Sequence, residues 1–278
     1  MIVVSIVGGL GNQMYGYALY RTLKEQGKSV KADMSYFRVP RRGKADNSIV
    51  TWRNYELQNV FGIEVDSLNA AEQFLLKLGR KAKLIHCYYD KELFFQPEVL
   101  NITDGLLSGY WQSFKYSREI ESILRKEFRF RKPLTGQSAE AIQKIRNCNS
   151  VSISVRRGDY VRLGWELPLS YYENAIRLIR EKVPDAKFFC TSDDIDWCKE
   201  TWGDQMEYID WSSGADQYFD MQVISECKHN ILANSTFCSW GAWMNQNENK
   251  LVIYPEKYNE QLKDRKDFWP DEWIGLPS

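Results

Sequence analysis

Near the N-terminus the apolar positions change period twice. Residues 2–7 are a short β-branched run, Ile2, Val3, Val4, Ile6 and Val7 around one serine, which predicts a strand. Gly8, Gly9 and Gly11 predict a turn. Met14, Tyr17, Ala18 and Leu23 then recur at helical spacing up to Gly27, a residue suited to cap a helix C-terminus. Residues 30–33 resume as a strand, completing the strand–helix–strand unit from which parallel sheets are built. The region from 40 to 145 is less regular: 68–84, 120–128 and 139–145 read as helices and 106–111 as a strand. Beyond it, strands are predicted at 151–155, 187–191, 207–209, 231–233 and, last, 251–254. Between them lie helical stretches: one after Ser170-Tyr171-Tyr172-Glu173, which reads as a capping box, with Ala175, Ile176, Ile179 and Val183 inward; a short one through Trp197; one over 218–227; and one opening at 234–236. Strands alternating with helices at this spacing predict a second doubly wound unit. The expectation is an α/β chain of two Rossmann-like domains, 1–145 and 146–278, facing each other across a cleft.

Composition narrows the classes. Of 278 residues, 44% are hydrophobic and 27% charged, so the chain is globular and has material for two cores. Lys plus Arg equals Asp plus Glu at 37 each, which argues against nucleic acid or a strongly anionic membrane as partner. Basic pairs such as Arg41 with Arg42, and Arg80 with Lys81, read as solvated faces. The opening apolar run lacks a basic flank and is too short for a signal peptide. No stretch reaches the roughly 18 apolar residues of a membrane span. The expected location is therefore cytoplasmic, at most in peripheral contact with the inner face of a membrane. Cysteines 87, 148, 190, 198, 227 and 238 form no CxxC pair, which points to reduced thiols rather than structural zinc. The aromatic share of 14% supplies core, and rings for the apolar face of a sugar.

Polar clusters follow several predicted strands, where an open parallel sheet binds its ligands. Gly9-Leu10-Gly11-Asn12-Gln13 copies part of a dinucleotide fingerprint, with Asp33 placed as a ribose acid, but Met14 stands where its third glycine belongs. A structural turn, an NAD loop and a sugar-nucleotide or acceptor loop all remain open. Arg156 and Arg157, adjacent after a buried strand, ask for an anion, and guanidinium forks match the oxygens of a diphosphate; structural ion pairs are the alternative. Asn234-Ser235-Thr236 is both a helix N-cap signature and a set of small donors for phosphate. His86 and His229 read as core or surface. A nicotinamide-dependent oxidoreductase and a non-catalytic carbohydrate- or nucleotide-binding protein stay open on these residues.

Taken together, Gly8-Gly9-Leu10-Gly11-Asn12-Gln13-Met14, Gly109-Tyr110-Trp111-Gln112-Ser113, Arg156-Arg157-Gly158-Asp159-Tyr160-Val161, Ser192-Asp193-Asp194 and the stretch from His229 to Gly241 closely resemble the α-1,2-fucosyltransferases, mainly bacterial members. The resemblance implies a GT-B fold, GDP-β-L-fucose as donor, an oligosaccharide or lipid-linked glycan as acceptor, inversion at the anomeric carbon, and neither metal nor cofactor. It implies Arg156 on the diphosphate, Arg157 shaping the site, Asp193 reading the guanine, and Ser235 and Thr236, with Asn234 and Phe237, on phosphate. Gly9, Gly11, Asn12 and Gln13 would approach the donor from the first domain. The first domain would then serve the acceptor and the second the GDP-sugar. Asp159 is the nearest motif carboxylate for the acceptor proton, or else pins Arg157. Two departures stand out. Ser154 replaces a histidine often found two positions before the first arginine. Cys238-Ser239 follows Phe237 where the family usually has Ser-Trp, which predicts the loss of an aromatic at the site edge. Asp194 with Asp196 forms a literal DxD, a pattern that holds a divalent ion in another glycosyltransferase architecture; the arginine pair makes that ion unnecessary.

Overall fold

The computed structural model describes residues 1–38, 54–91, 94–212, 216–259 and 267–278; the Arg41–Arg42 pair lies outside them. The chain divides into two compact units, one formed by Met1–Arg131 together with Asp267 and Phe268, the other by most of the chain from Lys132 onward. In the first, β1 (Ile2–Ser5) lies between β2 (Val30–Asp33) and β4 (Gly105–Ser108), with β3 (Cys87–Tyr89) beyond β4, all parallel. The helix Leu10–Glu25 crosses from β1 to β2 as its apolar period predicts, and Met14 is fully buried within it. Ser113 donates to the backbone carbonyl of Asp267 at 2.6 Å, Lys115 pairs with the Asp267 carboxylate, and the fully buried ring of Phe268 packs 6.0 Å from Tyr15. The first unit thus closes its core with residues from near the C-terminus.

The second unit carries β5 (Asn149–Val155), β6 (Ala186–Ser192), β7 (Met206–Tyr208), β8 (His229–Ile231), β9 (Val252–Pro255) and β10 (Ile274–Leu276). They form one parallel sheet in the order β10-β9-β8-β5-β6-β7. Counted from β5, this is the doubly wound 3-2-1-4-5-6 order, whose switch point falls between β5 and β8. Helices cover both faces. Val151, Ile153, Phe188 and Cys190 pack with Ala175 and Ile179 of the helix Leu169–Lys182 on one side. On the other, Phe189 and Ile209 pack with Ala141, Ile142, Ile145 and Val223. Both units are therefore Rossmann-like, all-parallel α/β layers, the content of a GT-B-like fold. Among the described residues no helix is long and apolar enough to cross a membrane.

Several local expectations are corrected. The domain boundary falls between 131 and 132 rather than 145 and 146, because the helix Gly136–Arg146 buries its apolar side on the second sheet. The helix after 168 begins at Leu169 with Pro168 as its cap residue and no side-chain cap bond; Pro168 presets the helix entry, so Ser170 and Glu173 form no capping box. The strand read at 106–111 ends at Ser108, and Trp111 adopts a left-handed φ of 53°. The strand at 252–255 is not the last, since β10 pairs outside it.

Packing is close where the helix Thr236–Met244 meets the helix Tyr218–Glu226: a methyl on Gly241 would fall 2.7 Å from Ile224 Cγ2 and 3.3 Å from the Met221 carbonyl. Gly241→Ala is expected to lower stability by about 1–3 kcal/mol through overpacking, read as a fall in melting temperature; an unchanged or higher value would contradict this contact.

Candidate functional site

The candidate site lies at the carboxyl edge of the second sheet. In register, Val155 pairs with Ser192, so Arg156-Arg157 and Asp193-Asp194 leave β5 and β6 side by side. Asp193 serves both arginines: its Oδ1 accepts from the backbone N–H of Arg157 at 2.8 Å, and its Oδ2 lies 3.0 Å from Nη1 of Arg156. Asp159, in the first turn of the helix Gly158–Leu163, accepts from Nη2 of Arg156 at 2.9 Å. Asp159 therefore pins Arg156 and not Arg157. Arg157 is held by Asp194, whose Oδ2 accepts from Nε at 3.0 Å, and its guanidinium stacks 4.1 Å from the ring centroid of Trp197. The two guanidinium groups diverge, each with its own carboxylate.

The Arg156 side chain is 29% exposed. Burial acts against its charge, but Asp193 and then Asp159 outweigh burial and hold its pKa above the usual arginine value. Each carboxylate engages one terminal nitrogen, which leaves further N–H donors on the fork for a ligand anion. Tyr160 lies beneath, its ring centroid 5.3 Å from the guanidinium carbon. The Tyr160 hydroxyl donates to the Asn234 carbonyl at 3.2 Å and lies 3.4 Å from the Tyr258 hydroxyl. Burial, reinforced by Tyr258, pushes its pKa well above the ordinary tyrosine value, so it acts as a neutral hydrogen-bonding strut.

The segment after β8 completes the edge. The Asn234 side chain is fully buried and its amide donates to the carbonyls of Trp165 (2.8 Å) and Tyr258, so it clamps two loops. Ser235, not Asn234, caps the helix Thr236–Met244, accepting from Phe237 N at 3.3 Å. Thr236 and Phe237 open that helix half-exposed, with its N-terminal N–H groups at the same edge. Ser154 is buried inside β5, its hydroxyl 3.4 Å from that of Thr191. The Cys238-Ser239 departure is also internal: Cys238 is 2% exposed and Ser239 0%. Burial pushes the Cys238 thiol up to about 12, and Ser239 donates to the Thr236 carbonyl at 2.9 Å. That position lies in the core, so the expected loss of an aromatic from the site edge is corrected.

The glycine loop belongs to the first unit and is built around Gln13. The fully buried Gln13 amide donates to the Gly8 (2.9 Å) and Asn54 (2.8 Å) carbonyls, and its oxygen accepts from Glu56 N at 2.8 Å. The Gln13 side chain is committed to the loop's own architecture. Gly8 has φ +80°, Gly9 is the helix N-cap and Gly11 is buried in the first turn. Asn12 is half-exposed and accepts from Gln112 at 2.7 Å. Asp33 turns onto its own chain, accepting from Ser35 N at 2.9 Å, a fixed turn rather than a ribose acid. His229 is buried and accepts from Leu251 N at 3.0 Å.

A sheet switch point carrying paired arginines beside helix N-termini is an architecture suited to receive the phosphates of a nucleotide. The family model described as Glycosyl transferase family 11 matches residues 101–277, and the chain belongs to this family of glycosyltransferases. Among its relatives, the alpha-1,2-colitosyltransferase of Escherichia coli is 29% identical over 99% of this chain and 99% of its own. The galactoside 2-alpha-L-fucosyltransferase SEC1 of Bos taurus is 22% identical over 99% of this chain and 74% of its own. Of solved structures, fucosyltransferase NodZ from Bradyrhizobium aligns with a TM-score of 0.47 and 12% identity, over 86% of this chain and 91% of that one. Family membership sets aside the oxidoreductase and non-catalytic readings.

Sequence reasoning placed Asp194 and Tyr160 in the clusters at this edge without giving either a role, and did not assign Trp197 or Tyr258 to it. Asp194 and Trp197 carry a usable signal, an acid and an aromatic three residues apart opening a helix after the strand that neighbours the arginines. Tyr258 carries none.

The aspartate–arginine geometry depends on one bare position. A methyl at Gly158 would fall 2.6 Å from Asp193 Oδ2, so Gly158→Ala is expected to push that carboxylate off Arg156. Glycosyl transfer should fall on the order of 10²-fold through misplacement of the guanidinium, with only a small change in melting temperature. Transfer at the parental rate would contradict the dependence.

Proposed function

We propose that this glycosyltransferase moves L-fucose from GDP-β-L-fucose to the 2-hydroxyl of a galactoside on an oligosaccharide or lipid-linked glycan, with inversion and without a metal, on the cytoplasmic side of a membrane. The observation that carries the reading is Arg156, held by Asp159 and Asp193 with donors to spare at the switch point of the second sheet. A fork oriented by two carboxylates is preorganised for the charge that builds on a departing diphosphate. The first turn of the helix Thr236–Met244 supplies N–H groups for the same oxygens. As the acceptor oxygen bonds to the anomeric carbon, the bond from that carbon to the β-phosphate oxygen breaks, its electron pair leaves with GDP, and a base takes the hydroxyl proton. Asp159 is salt-bridged to Arg156, and we assign it to positioning. Asp193 has the same occupation, in competition with its expected role on guanine.

Asp194, the first carboxylate of the DxD, accepts from Arg157 on one oxygen and from Trp197 N on the other, and Asp193 is likewise engaged through both oxygens; this supports metal-independent departure of GDP. The α-1,2 linkage is in the names of relatives that are a colitosyltransferase and a fucosyltransferase. The colitose-named relative spans nearly all of this chain, which favours a second reading in which the 3-deoxy analogue of fucose is transferred.

The test is transfer from GDP-fucose, and from its 3-deoxy analogue, to a β-galactoside, with the product's linkage and anomeric configuration read by NMR. An α-1,2 fucoside is expected. Preference for the 3-deoxy donor would select the second reading, and a product retaining the donor's β configuration would overturn inversion. Arg156→Lys should cut kcat by about 10²-fold or more, since a point charge replaces the fork; a rate within a few-fold of the parent would remove Arg156 from the leaving group. Transfer is expected to persist in excess EDTA, and loss restored by Mn²⁺ would overturn the metal-free reading.

A further inference from the structure

The helix Ala70–Lys81 in the first unit is firmly built but buries almost nothing. Its N-terminus has a reciprocal cap, the Asn69 side chain accepting from Glu72 N and the Glu72 carboxylate accepting from Asn69 N, both at 2.9 Å. Leu76 is its one buried residue, packed with Val3, Leu68 and Leu106. Away from that contact, Phe74 is 62% exposed, Leu75 63% and Leu78 47%, and Leu84 just beyond the helix is 83% exposed. Phe74 and Leu78 are one turn apart, and Leu75 adjoins them, so the helix presents a continuous apolar strip on its solvent side.

Charge is the second observation. Lys77 and Lys81, each three residues after a member of the strip, form a parallel row beside Phe74 and Leu78. Arg80 and Lys83 stand at the same end, and all four cations are exposed. None of them has a carboxylate partner among the described residues. The helix's one acid, Glu72, is paired with Lys31 at 2.6 Å. A chain of zero net charge therefore carries a local excess of cations around its barest apolar strip.

We infer that the helix Ala70–Lys81 and the turn after it form a membrane-docking surface that lies in the interface of an anionic lipid bilayer. Phe74, Leu75, Leu78 and Leu84 enter the boundary between headgroups and acyl chains, and Lys77, Arg80, Lys81 and Lys83 meet the lipid phosphates. The same charges argue against a second copy of this chain as occupant, because an isologous contact through this strip brings two sets of unpaired cations together. The inference does not rest on the identity of the transferred sugar.

The test is flotation of the full chain with vesicles of phosphatidylcholine alone and of phosphatidylcholine with phosphatidylglycerol. Binding to the anionic vesicles is expected, weakening as salt rises. The double variants Phe74→Ser/Leu78→Ser and Lys77→Glu/Lys81→Glu should each bind at least about tenfold more weakly. All four side chains are solvent-exposed, so melting temperature should be unchanged, which separates lost docking from lost folding. Failure of the parent chain to bind anionic vesicles, or equal binding by the apolar double variant, would overturn the proposal. So would a parental dimer, seen by analytical ultracentrifugation, that Phe74→Ser/Leu78→Ser dissociates, since that would assign the strip to a second copy.

Discussion

Two guanidinium groups on consecutive residues at the end of a strand buried on both faces repel each other and lose hydration. The parallel register of β5 on β6, seven residue pairs ending at Val155 with Ser192, resolves that conflict. It delivers two aspartates where two arginines emerge, and the chain then splits the pairs: Asp193 turns to Arg156 and the Arg157 backbone, Asp194 to the Arg157 side chain. A slip of one residue would point every side chain of β6 to the opposite face of the sheet and leave both arginines uncompensated. The apolar alternation that keeps Phe188 and Cys190 on one core and Phe189 on the other therefore also sets the electrostatics of the site.

That dependence explains what could be read from the chain in advance. The second unit was legible because its strands are apolar runs separated by full helices, and because ligand-bearing residues gather at strand ends. The arginines, Asp193 and the Ser235–Thr236 cap were visible for that reason. In the first unit, β3 is three residues, none of them buried, and β4 only four, too short to show a period. The Ser170–Glu173 capping box failed since Pro168 starts the helix two residues early. Partnerships across elements, such as Trp197 stacking on Arg157 or Asn234 holding Trp165 and Tyr258, leave no local mark. The departure at Cys238-Ser239 looked like a change at the site edge because linear proximity to Thr236 stood in for position, whereas the 3.6-residue period of the helix carries both residues round to the face that packs on the core. Whole-chain charge carries no information on placement: a sum of zero is compatible with the local excess of cations over residues 77–83.

The site is supported by neutral struts as well as by ion pairs. Tyr160, Tyr171 and Asn234 tie the segments after β5, β8 and β9 together through backbone carbonyls. Such bonds keep geometry without adding charge beside a site that must receive an anion. The charged groups at this edge are correspondingly left to orient one another.

Phe268 has a consequence for how the protein is made. Its ring, wholly enclosed beside Tyr15, and the carboxylate of the preceding Asp267 complete the core of a unit whose other residues end at Arg131. During synthesis the residues up to Arg131 emerge well before Phe268, leaving a gap where that ring belongs, and most of the second unit must follow before it can be filled. A nascent chain in that condition exposes Tyr15 and its neighbours to solvent and to chaperones, and the unit reaches its final stability only once Phe268 is in place.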